Sequence, residues 1–410
     1  MKSEILLDAI GKIDDELIAS AGEVRDRSRI KMWLRCGALA ACLALVVGVC
    51  SVAGWFAPNE SLPELPMLTI SENLGGMGFE GYMAYDISEL VNANPWNKRT
   101  KLSTLPVYEN KIKYDILFHV SGNDLESMKA YLDELVDKLG MDKQKLVYDD
   151  NTPHEKQIEA TMRDLEALEM LPVPDNYFDP NELTASDGNI SVTVNAHMDV
   201  DIVFEEGIAL PPEYNFTHYA PLDDVTKVAK YLKEKYLLGE YKDIIGIKSP
   251  VTNISEGDYS IYGEQHYYIS FFEKSRDKVE NIINYNLKQV SFFCNDDGKL
   301  WLIRIDSNAC TEKIGDYPII SAKEAKKLLL NGNYVTSVPY DLPGKEYIKK
   351  VELIYRTDVH DEYFIPYYRF FVELPEVERD GGIKTYGAYY VPAVREEYIE
   401  NMPLWNGSFN

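Results

Sequence analysis

The 410-residue chain carries 67 Asp and Glu against 42 Lys and Arg, a formal charge of −25. That balance repels the phosphates of nucleic acid, so DNA or RNA binding by the whole protein is excluded as a reading. Hydrophobic residues make up 45% and aromatics 12%, which is enough for packed cores in two or three domains and too much for wholesale disorder.

Residues 1–35 read as a cytoplasmic tail with a short amphipathic helix. Leu6, Ile10, Ile13 and Leu17 recur at helical spacing, flanked by Ile5, Ala9 and Ile18, and Ser3 can cap the start. Gly11 weakens the helix by about 1 kcal/mol relative to Ala. A segment this short cannot enclose its own apolar stripe. The polar face carries Glu4, Asp8, Asp14, Asp15 and Glu16 against Lys12, the opposite of a membrane-surface helix. Three readings stay open: a docking helix for a cytoplasmic regulator through Leu6, Ile10, Ile13 and Leu17, self-association, or a loosely ordered tail.

Residues 36–57 contain no charge and, as a helix, would span about 33 Å, enough to cross the hydrocarbon core of a bilayer. Trp33, Trp55 and Phe56 lie at its ends, as interfacial aromatics do. Arg25, Arg27, Arg29, Lys31 and Arg35 precede it, and no basic residue follows until Lys98. The positive-inside bias predicts a single-pass transmembrane helix with the N-terminus cytoplasmic and the rest outside the cell membrane. A cleaved signal peptide ending at Ser51-Val52-Ala53 would need an n-region far longer than usual. The apolar run before Cys42 is too short for a lipobox. Ala40, Ala44 and Gly48 form a small-residue stripe that can seat a second helix. Only Cys294 and Cys310 are exported, either as one bridge or as two buried thiols.

Residues 58–107 read as a linker and an irregular Gly/Pro-rich segment. Gly76, Gly78 and Gly81 match GxGxxG, but no βαβ unit surrounds them, so a dinucleotide site is not expected. Beyond residue 108 the fold class predicted is α+β: two or three helix-plus-antiparallel-sheet modules, divided as 108–215, 216–315 and 316–410. The first has a strand over 112–120, a helix capped by Asn123 and stopped by Gly140, and a second helix from Thr152-Pro153. Residues 172–189 read as a loop, and strict alternation over 190–204 predicts one long strand with a wet face bearing His197, Asp199 and Asp201. The second module starts with a helix from Asp223 or Asp224, then strands over 244–247 and 266–272, a short helix over 275–285, and a hairpin turning through 295–298. The third opens with a capping box at Ser321 and Glu324, followed by strands over 348–356, 364–374 and 385–391.

No catalytic, cofactor or metal constellation stands out. The six His are scattered, neither exported Cys has an activating neighbour, and GxSxG is absent. The unusual feature is paired aromatics on strands, such as Tyr267-Tyr268, Tyr367-Tyr368 and Tyr389-Tyr390. Neighbours on a strand face opposite ways, so each pair directs one ring to the core and one to solvent or an adjacent layer, where Tyr can anchor a ligand.

The stretches LLDAIGKIDDELI and WLRCGALAACLALVVG, followed by an exported α+β region, together resemble uncharacterised single-pass membrane proteins of clostridial-type Gram-positive bacteria, some of them anti-sigma-like. Residues 320–374 are similar to PepSY and YycH/YycI-type modules. The resemblance implies an extracytoplasmic regulatory protein that senses a ligand, a protein or peptide, and signals to a cytoplasmic sigma factor or signalling protein. Residues 1–35 contain neither His nor Cys and so depart from the zinc-binding anti-sigma pattern. An envelope structural or interaction protein with an inert tail is the alternative reading, and a cell-wall hydrolase the third.

Overall fold

A computed structural model describes residues 65–407 apart from 72–82, 85–91, 116, 118, 215–219, 260–264, 296, 308, 310, 337 and 378–383. The expected tail helix, the apolar run 36–57 and the small-residue stripe lie outside the described residues. Among the described residues no helix is long and apolar enough to cross a membrane.

The alternation over 190–204 folds as a hairpin. Strand β7 (Ile190–Asn195) turns into β8 (Val200–Ala209), with Val194 opposite Val200 and Ile190 opposite Phe204. In this register even-numbered residues oppose even-numbered ones, so one face stays apolar through the turn and the sequence reads as a single strand. The turn is set locally. The Asp199 N–H donates to the Asn195 side-chain oxygen at 2.9 Å, and Met198 takes a left-handed φ of 64°.

This hairpin is the middle of an eight-stranded antiparallel sheet. Its strands are β5 (Val147–Asp150), β6 (Glu182–Ser186), β7, β8, β9 (Pro250–Tyr259), β10 (Gln265–Glu273), β11 (Val290–Cys294) and β12 (Lys299–Ile305). In space the order is β5-β6-β7-β8-β12-β11-β10-β9. The direct β8–β12 pairing joins strands from either side of residue 215, so the first two expected modules share one sheet. β6 lies inside the segment expected as a loop. Helix α1 (Leu125–Leu139) and helix α3 (Leu222–Leu232), which widens into a π-helical stretch over Lys233–Glu240, cover one sheet face. Met128, Leu132, Val228 and Leu237 meet Val192, Ile202, Ile269 and Phe292 in that core. Each such side chain contributes roughly 1.5 to 3 kcal/mol by leaving water.

Several local expectations change. Asp124 rather than Asn123 caps α1, accepting the Ser127 N–H, while Asn123 donates to the Pro180 carbonyl. Gly140 ends α1 in the left-handed conformation, as expected. The strand expected over 112–120 is two short paired strands, β3 (Lys113–Tyr114) and β4 (Val120–Ser121). Helix α2 spans Glu155–Ala167, with His154 at its N-cap. Residues expected as a strand over 244–247 form helix α4 (Lys242–Ile245), stopped by Gly246 at φ 74°.

The C-terminal part holds a second sheet. β17 (Pro366–Glu373) lies between β15 (Ile348–Tyr355) and β18 (Thr385–Pro392), while β1 (Met83–Ala84) and β14 (Val335–Thr336) pair with the other edge of β18. Both faces are covered, so the aromatic pairs are buried in full. Tyr368, Phe370 and Tyr389 pack with Ala325 and Leu329 of α6 (Ala322–Leu330) and with Ile282 and Leu287 of α5 (Lys278–Leu287). Tyr367, Phe371 and Tyr390 face Val107 and Tyr317. Those two residues belong to β2 (Thr104–Asn110) and β13 (Thr311–Pro318), which with β16 (Tyr363–Phe364) make a three-stranded sheet. Every pairing between these strands is antiparallel, and with the packed helices this is an α+β fold.

Candidate binding surfaces

The docking positions Leu6, Ile10, Ile13 and Leu17 and the packing positions Ala40, Ala44 and Gly48 lie outside the described residues, as does Cys310. Cys294 is a free thiol in the first core, and burial pushes it up to about 12, so it stays protonated and unreactive.

The wet-face trio separates. His197 falls in the turn after β7, buried and stacked on Tyr114 with ring centroids 5.7 Å apart. Burial lowers its pKa, the Asp199 carboxylate opposing, so the ring favours the neutral form. Asp199 accepts the Ser307 N–H at 2.8 Å, and Asp201 takes a bidentate pair of bonds from Arg304, 2.8 Å each. No group of three His, Cys, Asp or Glu among the described residues is arranged to hold a metal ion. Asp306, beside this cluster, is pushed up to about 7 by burial and by the Asp199 carboxylate.

The charged loop between β15 and β16 is paired internally. Asp358 accepts the His360 N–H at 2.9 Å, and Asp361 pairs with the buried Arg356 at 3.1 Å. Burial pushes Asp361 up to about 7 even though Arg356 opposes the shift.

An open groove lies between α1 and β5. It has a volume of about 620 Å³ and is lined by Lys129, Leu132, Asp133, Tyr148, Asp149 and Asp150, with Leu183 beneath. β5 is the edge strand of the sheet, with Val147 65% and Tyr148 51% exposed. The Tyr148 hydroxyl donates to Asp133 at 2.9 Å and fixes the ring across the groove. Three carboxylates against one lysine make the groove acidic, and its apolar floor with a tyrosine wall suits a chain segment bearing a cation. The sequence hides it, because β5 is four exposed residues between two helices and carries no alternation signal.

A second exposed feature is on the sheet face opposite the first core. Tyr268 is 40% and Trp301 38% exposed. Phe293 lies 6.3 Å from Tyr268, and the Arg304 guanidinium sits 5.9 Å over the Phe293 ring. Of the paired aromatics, Tyr267 and Tyr268 do split between core and solvent.

Fold and surface together define an α+β protein with two sheet cores and an open groove beside the edge strand of the first. No family model matches the chain, and no curated protein resembles it in sequence.

Proposed function

We propose that the chain is a single-pass, membrane-anchored extracytoplasmic binding protein whose exported region takes a protein or peptide ligand and whose residues 1–35 contact a cytoplasmic regulator. The observation that carries the reading is the uncharged run 36–57, with five cations among residues 25–35 just before it and none for forty residues after it. The acidic groove beside β5 supports the binding half of the reading, because it offers a cationic extended peptide an apolar floor, a tyrosine and three carboxylates.

Single cysteines at Ser28 and Ser103 test the topology in intact cells. A membrane-impermeant maleimide labels Ser103→Cys and spares Ser28→Cys; equal labelling of both refutes the anchor. A photocrosslinker at Leu6 or Ile13 then captures the regulator, and capture is lost in Ile10→Asp with Leu17→Asp. Capture that survives this double change removes the docking role of the helix.

A further inference from the structure

We propose a separate oxyanion site, for a phosphomonoester or phosphodiester, in the cleft between the loop before β2 and the start of α5. In a chain of charge −25, Arg99 from the loop and Arg276 and Lys278 from the start of α5 line one cavity of about 360 Å³. All three side chains are exposed, and none is ion-paired with a described residue. Elsewhere on this surface lysines find carboxylates readily, as Lys138 does with Glu134 and Lys227 with Asp224. Three like charges against the single carboxylate of Asp277 leave the cleft net positive, and an anion there offsets their repulsion.

The cleft is built on rigid parts. Trp96 is buried and meets Tyr368 edge-on at 5.5 Å, anchoring the loop. Asn97 accepts the Arg99 N–H at 2.9 Å, and the Asn97 N–H donates to the Thr100 hydroxyl oxygen at 3.1 Å. Across the cleft, Asn281 accepts the Ser275 N–H at 3.0 Å, and Ser275 donates to Glu280 at 2.6 Å. Asp277 occupies the helix start by accepting the Glu280 N–H, so the cations and not the helix end would hold the anion. Asp277 is the one acid among the described residues lining the cleft, and its carboxylate caps α5. Guanidinium forks on Arg99 and Arg276 match two oxygens of a phosphate, with Lys278 as a point charge.

The site does not rest on the groove beside β5 or on the membrane reading, and its test is separate from theirs. Full-length protein in neutral detergent is titrated calorimetrically with inorganic phosphate, pyrophosphate, glycerophosphoglycerol and glycerophosphocholine. Arg99→Ala, Arg276→Ala and Lys278→Ala together weaken binding at least about tenfold. Lys143→Ala, Lys145→Ala and Lys227→Ala, an equal charge change elsewhere, leave it intact. Binding of phosphate or pyrophosphate alone assigns a free anion, and binding of glycerophosphoglycerol over glycerophosphocholine assigns an anionic diester headgroup. No binding by any of the four, or equal loss in the control triple, overturns the site.

Discussion

Glu352 shows how one buried charge is held. Its carboxylate meets Arg369 and Lys350 at 2.6 Å each and accepts from Asn92 at 2.7 Å. Burial works to raise its pKa, but the two cations outweigh that and hold it at about 2. Glu352→Gln leaves Arg369 buried without its counter-charge and should cost about 3 kcal/mol or more in urea unfolding at pH 7. Because the folded pKa is depressed, the wild-type advantage is complete above pH 4.5 and shrinks as pH falls toward 2; an advantage unchanged across that range would mean that the pair is not the cause.

Asp306 behaves in the opposite sense. Its folded pKa of about 7 stands above the ordinary 3.8, so its favourable contribution is full below pH 3.8 and is lost as pH rises through 7. Asp306→Asn should therefore gain stability over wild type between pH 4 and 8, with an upper bound of about 4 kcal/mol. Asp361 is raised in the same way but is present in both proteins, so their difference isolates Asp306. A flat difference curve would show that the Asp306 carboxylate is as well solvated folded as unfolded. None of these groups could be singled out beforehand. Sequence gives residue types, while burial and the approach of Asp199, Arg304 and Arg369 arise only from strand register.

At the scale of elements, what was legible followed local chemistry. The capping box at Ser321 and Glu324, the Gly140 stop and the hairpin at 295–298 each depend on residues within one turn of chain, and all formed where expected. The strand over 190–204 and the strand over 244–247 misled, because an in-register hairpin preserves alternation and four apolar-rich residues fit a helical turn equally well. The acidic groove and the basic cleft were illegible for a related reason, since each joins segments separated along the chain.

β18 offers a test of packing at this scale, since every one of its residues is buried. A Cβ on Gly387 would stand 2.6 Å from the Val338 Cγ2 and 3.1 Å from the Tyr389 ring. Gly387→Ala should cost about 1 to 3 kcal/mol through overpacking. The double change with Val338→Ala should cost less than the sum of the two single changes, because the second makes room for the first. Additive costs in urea unfolding would place the strain elsewhere.

Across the whole molecule, the two ends of the described chain are fastened together. Leu68 bridges Ile399, with the Leu68 N–H donating to the Tyr398 carbonyl and the Glu400 N–H to the Leu68 carbonyl, both at 2.9 Å. Asn401 completes the clasp with its side chain, accepting the Ile70 N–H and donating to the Ile70 carbonyl, both at 2.8 Å. The clasp sits over a core of Leu68, Ile70 and Ile399 that is continuous with β17 and β18. If residues 36–57 anchor the protein, any pull on the chain enters the fold at this clasp. Asn401→Ala removes two bonds worth about 1 kcal/mol each. A clasp that opens on its own predicts faster amide exchange at Thr69 to Ser71 with exchange in β17 unchanged. Exchange that quickens throughout β17 and β18 to the same degree would instead mean that the entry segment unfolds only with the whole C-terminal core, and that tension at the anchor is carried by both sheets of that core at once.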